Sequence, residues 1–335
     1  MELERRETLR IQKSLVRDES EIWILDGCFY KKMDAAELEA YSVLSSYQEQ
    51  LLRNANMAIP YFYGKIPSLE LSQLRKIYNW NISPQNLYKI SFLAGVKHRQ
   101  FDESYGVDGS FTSEDFLQIF KSLFLFRNIV QPKSLKFSKD YELDPQGLLR
   151  ESAEVVDGFL ETDSKYLSDR IGKTQGLLGQ SSLVAAHRDL NWNNMGITNT
   201  IEGGKRVLQV VDWGTFGLAY AGYDEGRLFT RLALNPYLQN IYLASIADFA
   251  RSNFGFQESK LFMLSFWRTV AIRSYREIFL ILTGRYERPI NYRFMDSSED
   301  ERKEKSKSIF YKEFLSSFET MLGIAVENLS LLLSN

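Results

Sequence analysis

Apolar and polar positions alternate at short range near the N-terminus, and after about residue 98 they give way to spacings of three and four. The runs "RIQKSLV", "EIWIL" and "CFYKKM" read as strands, and Asp26-Gly27 between the last two is a strong short-range hairpin signal. Asp34 follows as the N-cap of a helix over "AAELEAYSVLSSYQEQLL", whose Leu38, Tyr41, Leu44 and Leu51 form an apolar stripe. Two further strand-like runs, "AIPYFYGKI" and "NLYKISFLAGV", complete a small antiparallel sheet that ends near Gly95.

Beyond it, "FTSEDFLQIFKSLFLFRNI" opens a helical region, with Thr112 or Ser113 as cap and Phe116, Ile119, Phe120 and Leu123 at helical spacing. The helical pattern runs to the end of the chain, broken only between about residues 183 and 220 by the short extended runs "LVAAHRDL", "NMGIT" and "RVLQVVDWG". A Gly-Gly turn in "NTIEGGK" joins the last two. The expectation is an α+β chain of two lobes, residues 1–94 mostly strand and 95–335 mostly helix. The length of 335 residues agrees, because it exceeds the size at which single hydrophobic cores stop growing. The charged run "SSEDERKEKSKS" at 297–308 reads as a solvated loop or helix face.

Composition narrows the function. Hydrophobic residues at 44% and charged residues at 25% are those of a folded globular protein. A net charge of -2 supplies no field to attract a nucleic-acid backbone, so no nucleic-acid partner is expected. The opening "MELERRETLR" lacks an apolar signal core, and no later run approaches the ~18 apolar residues of a membrane span. The expectation is a cytoplasmic protein with no membrane partner. Cys28 is the single cysteine and His98 and His187 the only histidines, which excludes an intrachain disulfide and a zinc site of the Cys/His kind. Oxygen ligands for a harder ion remain.

Such ligands stand together in "HRDLNWNN" at 187–194 and "VVDWGTFG" from residue 210. Phosphoryl transfer needs a positioned acceptor and cations that neutralise phosphate oxygens, and Mg2+ takes oxygen donors. Asp189, on a loop after "LVAAH", is placed to accept or orient a hydroxyl proton, and the Asn194 carbonyl oxygen to meet a metal. Asp212 ends the apolar strand "VLQVV" just before Gly214 and is the better candidate for the main metal ligand. The chain has no Gly-x-Ser-x-Gly, so a hydrolase triad has no obvious serine.

"HRDLNWNN" resembles the protein-kinase catalytic loop His-Arg-Asp-Leu-x-x-x-Asn, and "DWG" stands where that family has Asp-Phe-Gly. It is similar also to the loop of the aminoglycoside phosphotransferase and choline kinase family, which shares the His-x-Asp-x-x-x-x-Asn frame. The resemblance implies a protein-kinase-like fold with ATP and Mg2+ as cofactors. It makes Asp189 the catalytic base, Asn194 and Asp212 the Mg2+ ligands, and His187 a brace for the loop. The stretch "DWGTFGLAYAGYDEGRLFTRL" runs directly into a helix with no Ala-Pro-Glu anchor, as in the small-molecule branch. Tyr223-Asp224 matches the pair that opens that branch's next helix, where Asp224 would cap the helix and tie it to the loop. Asn191 occupies the catalytic position at which protein kinases carry Lys and the small-molecule branch His.

On the nucleotide side, "VRDES" contains no glycine, which leaves backbone amides, Ser20 or Arg17 to meet phosphates. "IGKTQG" at 171–176 reads as a helix C-terminus and not as a phosphate loop, since Leu167 holds the place of the required first glycine. The phosphate lysine belongs on "FYKKM". Pairing across Asp26-Gly27 puts Ile22, Ile24, Phe29 and Lys31 on one face and favours Lys31, while a one-residue bulge would select Lys32. By resemblance its carboxylate partner is Glu39, with Glu37 the alternative, and Phe92, Leu93 and Ala94 of the hinge strand meet the adenine. The aromatic run from "FGFQESKLF" to "SYREIF" is either core or a cage for a cationic amine. The expected activity is ATP- and Mg2+-dependent transfer of a phosphoryl group to a hydroxyl of a small molecule such as an amino sugar, amino alcohol or sugar. The competing readings are a protein Ser/Thr kinase and a non-catalytic nucleotide-binding regulatory protein.

Overall fold

A computed structural model describes residues 22–25, 28–68, 70, 72, 87–91, 111–131, 145–160, 164–197, 206–285 and 300–334. The chain divides into two compact units, one of Met1–Arg99 with Ile197–Phe216, the other of Gln100–Gly196 with Gly217–Asn335. The first unit thus takes in a later segment that the expected division at residues 94 and 95 left with the helices.

The first unit is built on a four-stranded antiparallel sheet. Its strands are β1 (Ile22–Leu25), β2 (Cys28–Lys32), β4 (Phe62–Lys65) and β5 (Leu87–Ser91), in the order β1-β2-β5-β4. Ile22 pairs with Lys31 and Ile24 with Phe29, the register expected from the sequence. The β4–β5 register shifts between Phe62 and Gly64, and Gly64 takes a φ of 90°, open to glycine at no steric cost. The helix expected over residues 35–52 is two: α1 (Ala35–Ser45) and α2 (Gln48–Ala55). Serine chemistry accounts for the break, since the hydroxyls of Ser45 and Ser46 donate to the carbonyls of Ser42 and Val43 and compete with helix propagation. Leu44 and Leu51, one on each piece, are fully buried. Asn56 then turns the chain with a φ of 46°, and the short β3 (Met57–Ala58) pairs in parallel with β8 (Leu208–Val210) of the later segment.

The second unit is mainly helical. Thr112 caps α3 (Ser113–Ile129) through a reciprocal bond pair with Asp115, and Phe116, Ile119, Phe120 and Leu123 face the core. After α4 (Gln146–Asp157) and α5 (Ser164–Leu178) come the extended segments β6 (Val184–Ala186), β7 (Met195–Ile197), where the chain passes to the first unit, and β9 (Gly217–Ala219), which pairs antiparallel with β6. Gly172 and Gly176 lie within α5, so "IGKTQG" forms the last turns of a helix. Helices α6 (Tyr223–Thr230), α7 (Pro236–Asn253), α8 (Phe256–Leu282) and α9 (Asp300–Ser334) complete the unit. Every residue from Leu264 to Tyr275 is buried, so α8 runs through the centre of the unit with α4, α5, α6, α7 and α9 packed on it. The middle of the aromatic run is therefore core, where Phe266 meets Trp267 edge-on at 4.8 Å and lies tilted 5.6 Å from Phe229, while Phe256 near its start is exposed. Among the described residues no helix is long and apolar enough to cross a membrane.

Candidate active site

Three charged side chains meet in the first unit, two of them near neighbours in sequence and the third far along the chain. The ammonium of Lys31, at the end of β2, donates to Glu37 Oε1 at 2.6 Å and to Asp212 Oδ1 at 3.0 Å. Lys31 and Glu37 are almost enclosed, whereas the Asp212 side chain is 49% exposed and open to a ligand. Burial opposes the ammonium, but the Asp212 and Glu37 charges outweigh it and hold Lys31 above its ordinary value. Burial also raises the Glu37 carboxyl, against the pull of Lys31. The short contact is that of an ionised pair, so the upward Lys31 direction describes the couple.

Local structure explains the convergence. Asp34 caps α1 by accepting the Glu37 N–H at 2.8 Å, which fixes the turn that carries Glu37. Asp212 follows the buried strand β8 with a φ of 62°, a left-handed conformation uncommon outside glycine that costs about 1–3 kcal/mol. Its neighbours hold it there. Trp213 is buried and donates from Nε1 to the Val210 carbonyl at 3.1 Å, and its ring meets Phe216 edge-on at 5.6 Å. The buried Tyr41 hydroxyl, which burial pushes far above its ordinary range, takes backbone hydrogen bonds from Asp212 and Trp213. Lys31, Glu37 and Asp212 are thus set by three elements of one unit.

In the second unit the chain turns sharply after β6, with Arg188 at a φ of 67°. The buried Asp224 carboxylate accepts the N–H groups of His187 and Arg188, each at 3.0 Å. The Asp189 N–H donates to His187 Nδ1 at 3.3 Å, so the histidine is turned into its own loop. Asn191 Nδ2 and Asn194 Nδ2 both donate to the Asp189 carbonyl at 3.1 Å, and Asn191 Oδ1 accepts the Asn194 N–H at 3.2 Å. The Asp189 carboxylate, 40% exposed, pairs through Oδ1 with the enclosed guanidinium of Arg227. Leu190 and Trp192 anchor the loop in the core, Trp192 lying 6.1 Å from the rings of Phe111 and Phe116.

Set against the expectations, Lys31 and not Lys32 reaches the acidic pair. Glu37 and not Glu39 is its carboxylate, because Glu37 sits at the buried third position of α1 while Glu39 is exposed. Asp224 lies inside the first turn of α6 after Gly222, and its carboxylate serves the loop amides in place of capping the helix. Phe92, Leu93, Ala94, Arg17, Ser20, Asp26 and Gly27 lie outside the described residues. Arg227 and Trp192 went unread in the sequence; an aromatic inside the polar run "NWNN" was the available signal for the second. Taken unit by unit, the donor types suit the expected cofactors: in the first, Asp212 carries a carboxylate oxygen suited to a hard cation and Lys31 an ammonium suited to phosphate, and in the second Asn194 carries an amide oxygen.

No protein-family model and no curated protein matches the sequence. Among solved structures, the chain is similar to a choline/ethanolamine kinase family protein from Mesorhizobium loti, with 12% identity, a TM-score of 0.47, and 91% of this chain and 93% of that one covered. Similar too are aminoglycoside 2'-phosphotransferase-IIIa in its GDP complex (12% identity, TM-score 0.48, coverage 97% and 96%) and an ethanolamine kinase from Plasmodium vivax (14% identity, TM-score 0.45, coverage 93% and 84%). These are enzymes of the family that the 187–194 frame resembles. At such identities the functional reading rests on the residues of the site.

Proposed function

We propose that the protein is a phosphotransferase that moves the γ-phosphoryl group of Mg-ATP to a hydroxyl of a small molecule. Two observations support this reading, each within its own unit: an enclosed Lys31–Glu37 couple that meets an open Asp212 in the first, and a braced loop that presents Asp189 in the second. Mg-ATP supplies the transferred group and the metal charge. Lys31, held charged by its carboxylates, binds phosphate; Asp212 and Asn194 are the metal-binding residues. Asp189 orients the acceptor hydroxyl and takes its proton, and its main-chain geometry is fixed by His187, Asn191 and Asn194 before any substrate arrives. The hinge residues Phe92, Leu93 and Ala94 are proposed to meet the adenine.

Phosphate transfer to small acceptors is favoured over transfer to a polypeptide because the chain runs from Asp212 to α6 in so few residues, with β9 paired to β6 on the way. The test is ADP release from Mg-ATP across aminoglycosides, choline-like alcohols, sugars and hydroxylated amino acids. Acceptor-dependent release is expected in the wild type and a loss of about 10³-fold or more in Asp189→Asn, the size of effect typical of removing a group that acts in the transition state. Full turnover in the variant would take Asp189 out of the role.

A further inference from the structure

We infer that Arg227 is the positioning residue for Asp189: its guanidinium holds Oδ1 of the carboxylate so that Oδ2 is left to receive the acceptor's proton. This rests on the phosphotransferase reading above and assigns a residue outside the 187–212 segment to the reaction.

The case begins with α6. Asp224 and Arg227 stand three residues apart on that helix, a spacing that puts two side chains on one face. From this face Asp224 accepts the main-chain N–H groups of His187 and Arg188, and Arg227 grips the side chain of Asp189. Three consecutive loop residues are therefore tied to a single turn of helix.

That turn is rigidly mounted. Glu225 between them is fully buried and accepts from both terminal guanidinium nitrogens, Nη1 and Nη2, of Arg127 on α3 at 2.7 and 2.8 Å, while its carbonyl accepts the Tyr242 hydroxyl at 2.7 Å. Gly226 lies so close to α8 that a Cβ there would stand 2.7 Å from the Phe266 carbonyl oxygen. A site built on such a frame holds geometry more narrowly than one supported by its own loop.

The loop's own polar groups are committed elsewhere. Asn191 carries no charge and bonds to the Asp189 carbonyl, His187 accepts the Asp189 N–H, and the Arg188 guanidinium lies against Gly217. The ion pair itself is asymmetric. Arg227's side chain is 6% exposed and its ring neighbour Tyr223 lies 6.0 Å away, whereas Asp189 is 40% exposed. An arginine cannot shed its charge, so an enclosed guanidinium is a fixed point to which an open carboxylate is referred.

Steady-state ADP release with the acceptor panel, and with water as acceptor, separates this role from simple support. Arg227→Met is expected to lower kcat about 100-fold, a loss typical of a misplaced reacting group, with KM for Mg-ATP within about twofold of wild type. Arg227→Lys should recover about tenfold over the Met variant because a cation is restored without the fork. A merely structural arginine would show the reverse, with KM or melting temperature changed and kcat retained, and that outcome overturns the role. So does a Met variant with wild-type kinetics. Should Arg227→Met fail to fold, Arg227→Lys decides alone, with lowered kcat at unchanged KM supporting the role and unchanged kcat overturning it. Failure of the underlying reading looks different: either the wild type releases no ADP at all, or Asp189→Asn keeps turning over, and each removes the Arg227 role with it.

Discussion

At the scale of single residues, Lys31 shows how a register decides chemistry. The β1–β2 pairing places it opposite Ile22, and its ammonium lies between two carboxylates that come from a helix cap turn and a strand end. Glu37 and Glu39 are near-identical in sequence context, yet only Glu37 is at the third position after the Asp34 cap, where its amide is fixed and its side chain is buried. Glu37→Gln leaves Lys31 with one charged partner in an enclosed site and is expected to weaken Mg-ATP binding about tenfold, roughly the worth of one charge-assisted hydrogen bond. Glu39→Gln should leave it unchanged. Calorimetric titration of both variants with Mg-ATP checks the pair; equal affinities would detach Glu37 from the nucleotide. The sequence indicated which lysine would meet the carboxylates because strand alternation has a period of two. It did not carry the glutamate choice, because both positions lie in the same first turns of an amphipathic helix and only the packed structure tells which one is enclosed.

Elements succeed or fail on close approach. Gly222 opens α6 with a φ of 96°, and a Cβ there would stand 2.4 Å from the Phe262 carbonyl oxygen, so backbone strain and a backbone clash coincide. Gly222→Ala is expected to destabilise the protein by about 2–4 kcal/mol, the sum of a left-handed alanine and an overpacked contact. Gly172, exposed in the middle of α5 with nothing within 4 Å, provides the opposite sign: Gly172→Ala should stabilise by about 0.5–1 kcal/mol through helix propensity. Urea unfolding of the two variants tests the contrast, and a neutral Gly222→Ala would mean that α6 and α8 do not approach as described. Helix α8 was legible as helix from its spacing but ambiguous in purpose, since an aromatic stripe reads alike as core or as ligand cage. Its burial along every face from Leu264 to Tyr275 makes it core. The break between α1 and α2 was illegible for a different reason: the apolar stripe continues across it, and two serine hydroxyls, weak signals in a sequence, end the first piece.

For the whole molecule, the order of elements along the chain predicted an α+β architecture, while the assignment of Ile197–Phe216 to the first unit could not be read from order alone. That segment pairs β8 with β3 across a long stretch of sequence, and non-local strand pairing leaves no local mark. Its consequence is measurable. A ligand that binds only the folded state stabilises it by RT ln(1 + [L]/Kd), about 2.7 kcal/mol at a hundredfold excess over Kd. With Lys31, Glu37 and Asp212 in one unit, Mg-ATP is expected to slow hydrogen exchange first at residues 28–38 and 207–216, although these are far apart in sequence. Adding EDTA to remove Mg2+, or replacing Asp212 with Asn, should abolish most of that protection while the helices around α8 exchange as before. Protection that appears without Mg2+ and survives in Asp212→Asn would show that the nucleotide is held without this carboxylate. Absence of any protection in the wild type would remove the nucleotide from the first unit altogether. The exchange experiment thereby reads Lys31 and Asp212 as one site without needing the acceptor to be known.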